Sequence, residues 1–221
     1  VPLAIGSQTV GSTLRPAAFC GIVGLKPTYD LLSTEGVIPL AWSLDHVGLL
    51  SSDVSDAILG LTALTGDSTL VESTKWLHGN VPSIGLLGWD YEDQPTLEMT
   101  SHIKTIASVI HKVVAPVTPV ESPVSLTSGL TAGFVVMRSE AAAYHQPCYS
   151  AYANEYRPKI RELIESGLVV SATDYITAQR LRKELRQELV LLLQQFDALL
   201  LPVTGTPAPE GLTNTGVPNP L

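Results

Sequence analysis

The feature that most constrains this chain is a glycine-bounded loop near its beginning. Gly6 and Gly11 enclose four residues, and Ser12 follows directly. The loop comes after an apolar run, Val1–Ile5, that predicts a buried strand. Pro16 then opens a small-residue segment that predicts a helical turn. A loop in this position can leave several main-chain N–H groups unpaired and converging, which is the geometry that holds an anion or a developing oxyanion.

Three interpretations of the loop compete. The spacing from Gly6 to Gly11 is that of a phosphate-binding loop, but Ser12 occupies the position where such a loop has a lysine. In the second interpretation Ser12 is a nucleophile and main-chain N–H groups stabilise the oxyanion. The donors would be those of Thr9, Val10, Gly11 and Ser12. The third interpretation is a tight turn capped by a serine, and the loop alone does not decide between the three.

Composition limits the fold and the partners. Of the 221 residues, 45% are apolar and 15% are charged, which favours an α/β domain with strands buried on both faces. The net charge of −8 argues against a nucleic-acid surface. No apolar run approaches the ~20 residues that span a membrane. Cys20 and Cys148 have no metal-site spacing, so we expect reduced, buried thiols in a cytoplasmic protein. The sequence leaves a homodimer open.

Periodicity predicts the elements after the loop. Asp53–Leu64 predicts a helix that Asp53 or Ser52 caps and Gly66 ends, and Asp67–Pro82 predicts a surface connection. A strand, a helix and a strand then predict a crossover between parallel strands: Ser83–Gly88, Pro95–Val114 and Val117–Val120. The remaining predicted elements are helices at 126–144, 151–165 and 172–195, a strand at 198–201 and a loop at 205–221.

Several stretches in order resemble the amidase signature family, which includes amidases, allophanate hydrolase, fatty acid amide hydrolase and the A subunit of the aminoacyl-tRNA amidotransferase. The stretches are Gly6–Thr28, Gly36–Pro39, Ser43–Gly48, Ser139–His145, Asp174–Tyr175 with Ala178–Arg180, Phe196–Pro202 and Ala208–Leu212. The resemblance implies an α/β fold whose mixed sheet is covered by helices on both faces. It also implies that residues 1–221 are a partial domain, without an upstream segment and a distal C-terminal segment.

The resemblance places the family's nucleophile on Ser12. In that family a serine in a cis peptide passes its proton to a lysine, and both precede the nucleophile, so we expect them before Val1. Lys26 does not match that lysine. Gln8, where the family more often has aspartate, and Arg15, in a Ser-x-x-Arg-Pro variant, are expected to support the loop. The family needs neither a metal nor an organic cofactor.

Two backbone positions depart from the family pattern. Val10 and Asp30 stand where glycine is usual, so Val10 must avoid a positive φ, whereas Asp30 tolerates a left-handed conformation. Asp45 is expected to hold loop backbone by hydrogen bonds. His46 is interpreted as structural or substrate-facing. Glu140 and His145 look like a carboxylate–imidazole pair, but the resemblance favours a role in positioning a helix, and the same interpretation extends to Tyr175, Gln179 and Arg182.

The resemblance implies hydrolysis of a small carboxylic amide through an acyl-enzyme on Ser12. Two alternatives stay open. One is the A subunit of a glutamine-dependent aminoacyl-tRNA amidotransferase, which would act with partner subunits. The other is that residues 1–221 by themselves are a catalytically inactive fragment.

Overall fold

The computed structural model describes residues 2–73, 80–88, 95–211 and 215–216. In chain order the elements are β1 Leu3–Gln8, α1 Leu14–Phe19, β2 Val23–Leu25, β3 His46–Ser51, α2 Val54–Thr65, α3 Thr69–Ser73, β4 Ile84–Leu87, α4 Leu97–Val113, β5 Val117–Val120, α5 Leu126–Tyr152, α6 Pro158–Leu168, α7 Ala172–Leu192 and β6 Ala198–Leu200. The predicted α/β class is confirmed. Within the described residues the strands form two three-stranded sheets. One sheet is antiparallel and the other is parallel, so both kinds of pairing occur, each in its own sheet.

The antiparallel sheet has the order β1-β3-β2 and carries the glycine-bounded loop. The buried strand predicted at Val1–Ile5 is wrong in two respects, because β1 continues to Gln8 and Ile5 is 63% exposed. The strand is longer because β3 offers pairing partners as far as His46, which lies opposite Gln8. β2 pairs with β3, so β3 lies between β1 and β2 in this sheet.

The parallel sheet has the order β5-β4-β6. The predicted strand–helix–strand crossover is confirmed, because β4 and β5 are parallel and α4 lies between them in the chain. The predicted strand at residues 198–201 is also confirmed as β6, which pairs with β4 in parallel. Asp197 fixes the start of β6, since its carboxylate accepts a hydrogen bond from the Ser83 N–H at 2.7 Å.

The first long helix, α2, begins and ends where the sequence predicts. The Asp53 side chain accepts a hydrogen bond from the Asp56 N–H at 2.9 Å, and Gly66 adopts a left-handed conformation at the C-cap. The predicted connection at residues 67–82 contains the short helix α3, and residues 74–79 of it lie outside the described residues. Of the loop predicted at 205–221, residues 212–214 and 217–221 are also outside them.

Helices α5, α6 and α7 pack on one another, and their ends differ from the prediction. α5 runs through Pro147 to Tyr152, instead of ending at Tyr144. α6 starts later than expected, at Pro158, where proline's fixed φ and missing N–H suit a first helical position. The core of this layer contains Ala132, Val136 and Ala178, and Leu44 packs against it. Within the described ranges, no helix has the length and apolar character needed to cross a membrane.

Candidate active site

The predicted oxyanion loop lies between β1 and α1. The strand ladder ends at the pair Gln8–His46, so residues 9–12 are outside it. Among the described residues, none accepts a turn or loop hydrogen bond from the N–H groups of residues 9–12. In the described part of the chain, Asp30 is the one non-glycine residue with a positive φ. Val10 therefore avoids a positive φ, as predicted. Within the described part of the chain, the N–H groups of this loop are therefore not paired with main-chain carbonyls.

The Gln8 side chain connects the start of this loop to the start of α1. Its side chain is buried, and Oε1 accepts hydrogen bonds from the N–H groups of Thr13 and Leu14, both at 2.9 Å. These are donors at the start of α1 that the helix itself leaves unpaired. Arg15 continues the turn, because its N–H donates to the Gly11 carbonyl at 3.0 Å, and burial lowers the pKa of its guanidinium.

Close packing fixes α1 on the sheet. Thr13 is fully buried over the glycine pair that Gly6 and Gly48 form across β1 and β3. A Cβ on Gly48 would lie 2.9 Å from the Leu25 carbonyl oxygen and 3.0 Å from Thr13 Oγ1. Only glycine at this position lets the residue after Ser12 approach the strands so closely.

Asp45 connects the loop to the segment at residues 40–46. Its carboxylate accepts hydrogen bonds from the hydroxyl of Thr9 and from the N–H groups of Leu40, at 2.8 Å, and Ala41, at 2.9 Å. The side chain is 7% exposed. The predicted role of Asp45 in holding loop backbone is therefore confirmed at residues 40 and 41, and Asp45 also binds the loop at residues 9–12 through the Thr9 side chain.

A cavity of about 910 Å³ begins beside the loop and continues along α5 and α7. Thr9 and Val10 form part of its wall, and so do Lys26 and His46. Ser12 is exposed and is not among the lining residues. The cavity therefore reaches the predicted oxyanion donors at their first two residues.

Lys26 and His46 contact each other in the cavity wall. Leu44 O lies 2.6 Å from His46 Nδ1, and since a carbonyl can only accept, we assign the hydrogen to Nδ1. The bare Nε2 then accepts from Lys26 Nζ at 3.3 Å. Burial, and next the charge of Lys26, lower the pKa of His46, while burial lowers the pKa of Lys26.

A network of polar side chains from α5 and α7 holds Ser43, which belongs to the segment at residues 40–46. Buried Glu140 accepts the Ser43 N–H at 2.9 Å and the Tyr175 hydroxyl at 3.2 Å. Arg182 donates to Ser43 Oγ at 2.9 Å and to Ser43 O at 2.6 Å, and Gln179 donates to the Tyr175 hydroxyl at 2.8 Å. These residues on α5 and α7 thus hold one wall of the cavity.

The remaining candidates lie apart from this site. His145 does not pair with Glu140; its Nδ1 is 2.9 Å from the Tyr156 hydroxyl. The two cysteines are free, but Cys20 is exposed at the end of α1, which corrects the expectation of a buried thiol. In the ranges that the structure describes, no group of three or more His, Cys, Asp or Glu side chains is arranged to hold a metal.

Sequence reasoning misses two arrangements in the cavity wall. The resemblance gives Arg182 a role in positioning a helix, but it does not identify Ser43, 139 positions away in the chain, as the residue to which Arg182 donates two hydrogen bonds. The contact between Lys26 and His46 spans 20 positions and depends on the pairing of β3. No local spacing encodes either one.

Comparison with known proteins gives a consistent result. A family model described as Amidase matches residues 1–217. An amidase of Pseudomonas putida is 32% identical over 94% of this chain, and the A subunit of the glutamyl-tRNA(Gln) amidotransferase of Alkaliphilus metalliredigens is 32% identical over 89%. The chain spans about half the length of these curated relatives, 47% and 42% respectively.

Solved structures agree with these matches. A crystal structure of an amidase superimposes with a TM-score of 0.82 at 32% identity, over 94% of this chain and 46% of that one. A structure described as a vestigial protein complex that reveals the origins of an s-triazine catabolic enzyme gives 0.83 at 29% identity, over 95% of this chain and 47% of that one.

Proposed function

This chain belongs to the Amidase family, and from that premise we propose that the protein hydrolyses the C–N bond of a small carboxylic amide, with Ser12 as the nucleophile. The observation that carries the proposal is the loop at residues 9–12, whose N–H groups are outside the strand ladder and whose first two residues line a cavity. Family membership supports amide hydrolysis, and the loop geometry supports the choice of residue. The whole protein's activity is proposed from a chain that spans about half the length of its relatives.

In the proposed reaction Ser12 Oγ attacks the amide carbonyl carbon while a base takes the hydroxyl proton. The carbonyl oxygen becomes an oxyanion that the N–H groups of Thr9, Val10 and Gly11 stabilise, and each such donor is typically worth ~3–4 kcal/mol. The C–N bond then breaks, the leaving nitrogen takes a proton, and an ester on Ser12 remains. Water hydrolyses that ester to the acid and restores the serine.

The base is proposed to come from a segment that precedes this loop in the protein. A serine hydroxyl is a weak nucleophile until a base removes its proton. Within the described residues, no basic side chain hydrogen-bonds the Ser12 hydroxyl, and Lys26 contacts His46 and the Pro27 carbonyl instead. We therefore propose that residues 1–221 alone are inactive.

Labelling and turnover test this proposal together. A fluorophosphonate, which reacts with activated serines, is expected to label Ser12 in a form extended upstream of Val1. Ser12→Ala should abolish the label and lower kcat for ammonia release by roughly 10³-fold or more. Ser7→Ala, an exposed serine of β1, is the matched control and should retain both.

Two results would contradict the proposal. A label on another residue, with turnover intact in Ser12→Ala, rejects the nucleophile. Turnover by residues 1–221 alone that Ser12→Ala abolishes rejects the external base, because this chain would then hold its own proton acceptor.

An amidotransferase component is the second candidate, because the match to the Alkaliphilus protein has the same identity as the match to the Pseudomonas amidase. It predicts hydrolysis of glutamine that rises when partner subunits are added. The net charge of −8 weighs against a tRNA-binding surface on this part of the protein. Measuring ammonia release from glutamine with and without partner subunits separates the two candidates, because only the amidotransferase component predicts a rise when they are added.

A further inference from the structure

The cavity beside the loop has a charge opposite to that of the chain. The sequence has 13 basic and 21 acidic side chains. Four of the basic side chains line the cavity, and among the described lining residues none is Asp or Glu. They are Lys26, Arg182, Lys183 and Arg186. Such a local excess of cations in an acidic protein favours a negatively charged ligand.

Lys26 directly follows β2 and lines the cavity together with Thr9 and Val10. It contacts His46, and His46 lies opposite Gln8 in the last pair of the β1–β3 ladder, immediately before Thr9. An ammonium group has three N–H donors. Lys26 uses one on His46 Nε2 and one on the Pro27 carbonyl, both at 3.3 Å. One donor therefore remains for a ligand.

Arg182 has a fixed position in the cavity wall, and the two buried carboxylates nearby do not face the cavity. Arg182 is held by two hydrogen bonds to Ser43, so its position in the wall is fixed. Asp45 and Glu140 contact wall residues from behind, through Thr9 and Ser43, but neither lines the cavity. Each already accepts several hydrogen bonds from donors of the protein. The cations in the wall are thus not neutralised by a carboxylate facing the cavity.

The wall also has apolar side chains, which suit a ligand with a hydrocarbon body. Leu130, Phe134 and Val190 are among them, on α5 and α7. The cavity meets the loop at Thr9 and Val10, and two residues span at most about 7 Å, so a short acyl chain bridges from Ser12 to the cavity.

We propose that this cavity binds the acyl part of amides that carry a carboxylate, with Lys26 as the partner of that carboxylate. The assignment rests on the proposed function, because it takes the ligand to be the substrate of the loop. It gives Lys26 a role in substrate selection and none in proton transfer. The substrate class is then the monoamides of dicarboxylic acids, and their neutral analogues are the disfavoured substrates.

The test compares glutaramate, which carries a carboxylate, with the neutral glutaramide. The ratio of their kcat/KM values is measured in the extended protein and its variants. Lys26→Gln should lower the ratio about tenfold or more, since a hydrogen bond between charged groups is lost. Lys104→Gln, which removes an exposed charge from α4 away from the cavity, is the control and should leave the ratio unchanged.

Calorimetric titration with glutarate gives a readout that needs no turnover. Its affinity should fall in Lys26→Gln and stay constant in Lys104→Gln. If Lys26→Gln does not fold, Lys183→Glu and Lys104→Glu replace the pair, because both positions are exposed and only the first lines the cavity.

The outcomes separate the two proposals. Turnover of both amides with a ratio that Lys26 does not change overturns the substrate class and leaves the hydrolase standing. If no amide is hydrolysed, the hydrolase proposal and the substrate class both fail, and glutarate binding that depends on Lys26 would then show an anion site of another use.

Discussion

At the level of single residues, Asp45 connects the proposed oxyanion loop to the segment at residues 40–46. Its carboxylate accepts hydrogen bonds from a side chain of the loop, Thr9, and from the main chain of Leu40 and Ala41. All of these partners are donors, so the geometry requires an acceptor at both oxygens. A carboxylate satisfies this requirement, whereas an amide offers one oxygen and two N–H donors.

We predict that Asp45→Asn destabilises the fold and slows amide hydrolysis. The amide NH₂ would face a donor, and a buried donor left unsatisfied costs about 1–3 kcal/mol. Urea unfolding measures the loss of stability, and ammonia release measures the rate. Asp67→Asn is the control, because Asp67 is exposed and its carboxylate accepts hydrogen bonds from its near neighbour Thr69, so we expect less than about 0.5 kcal/mol. Equal losses of stability in the two variants would contradict the prediction, because the buried hydrogen bonds of Asp45 would then stabilise the fold no more than an exposed carboxylate does.

The residue-level predictions that succeed depend on local backbone chemistry. Asp30 has a φ of 64°, as expected at a position where glycine is usual, and Asp53 caps α2. The left-handed conformation and the helix cap each depend on a few neighbouring residues, so both can be predicted from the local sequence. The contact of Lys26 with His46 escapes prediction because it arises only when β3 lies between β1 and β2.

At the level of elements, the unpredicted strand β3 shows where pattern reasoning fails. Its apolar run, residues 47–50, is short and contains Gly48, which weakens the pattern of a strand. The motif in which the run lies is interpreted through the roles of Asp45 and His46, and no strand is predicted there. β3 is nevertheless the centre of its sheet. Helix ends fail for a different reason: the predicted gap between the helices at 126–144 and 151–165 contains Pro147, but α5 continues through it while packed against α6 and α7.

Two helix glycines lead to opposite stability predictions. Gly167 of α6 lies so close to α5 that a Cβ would overlap the Arg138 carbonyl, so Gly167→Ala should cost about 2 kcal/mol or more. Gly133 of α5 has open space around its Cβ position, so Gly133→Ala should stabilise the helix by about 0.5–1 kcal/mol. Thermal and urea unfolding measure both. Destabilisation by both would mean that α5 and α6 are not packed as described.

At the level of the whole molecule, the segment at residues 40–46 joins three parts of the structure. Asp45 binds the oxyanion loop, Ser43 binds Glu140 on α5 and Arg182 on α7, and Leu44 packs against the core of the helical layer. The segment continues directly into β3. The helices therefore support the loop through this segment, although they follow it by about a hundred residues in the chain.

This arrangement predicts energetic coupling between Glu140 and Asp45. The two side chains bind opposite parts of one short segment, so after Glu140→Gln has loosened it, Asp45→Asn should cost less than it does alone. Residues in one network typically show interaction energies of about 0.5–3 kcal/mol in a double-mutant cycle. The control cycle pairs Glu140→Gln with Asp197→Asn, whose carboxylate binds Ser83 in the parallel sheet. That pair should be additive within about 0.5 kcal/mol, because the sites share no partner. Additivity in both cycles would mean that the segment does not transmit helix packing to the loop.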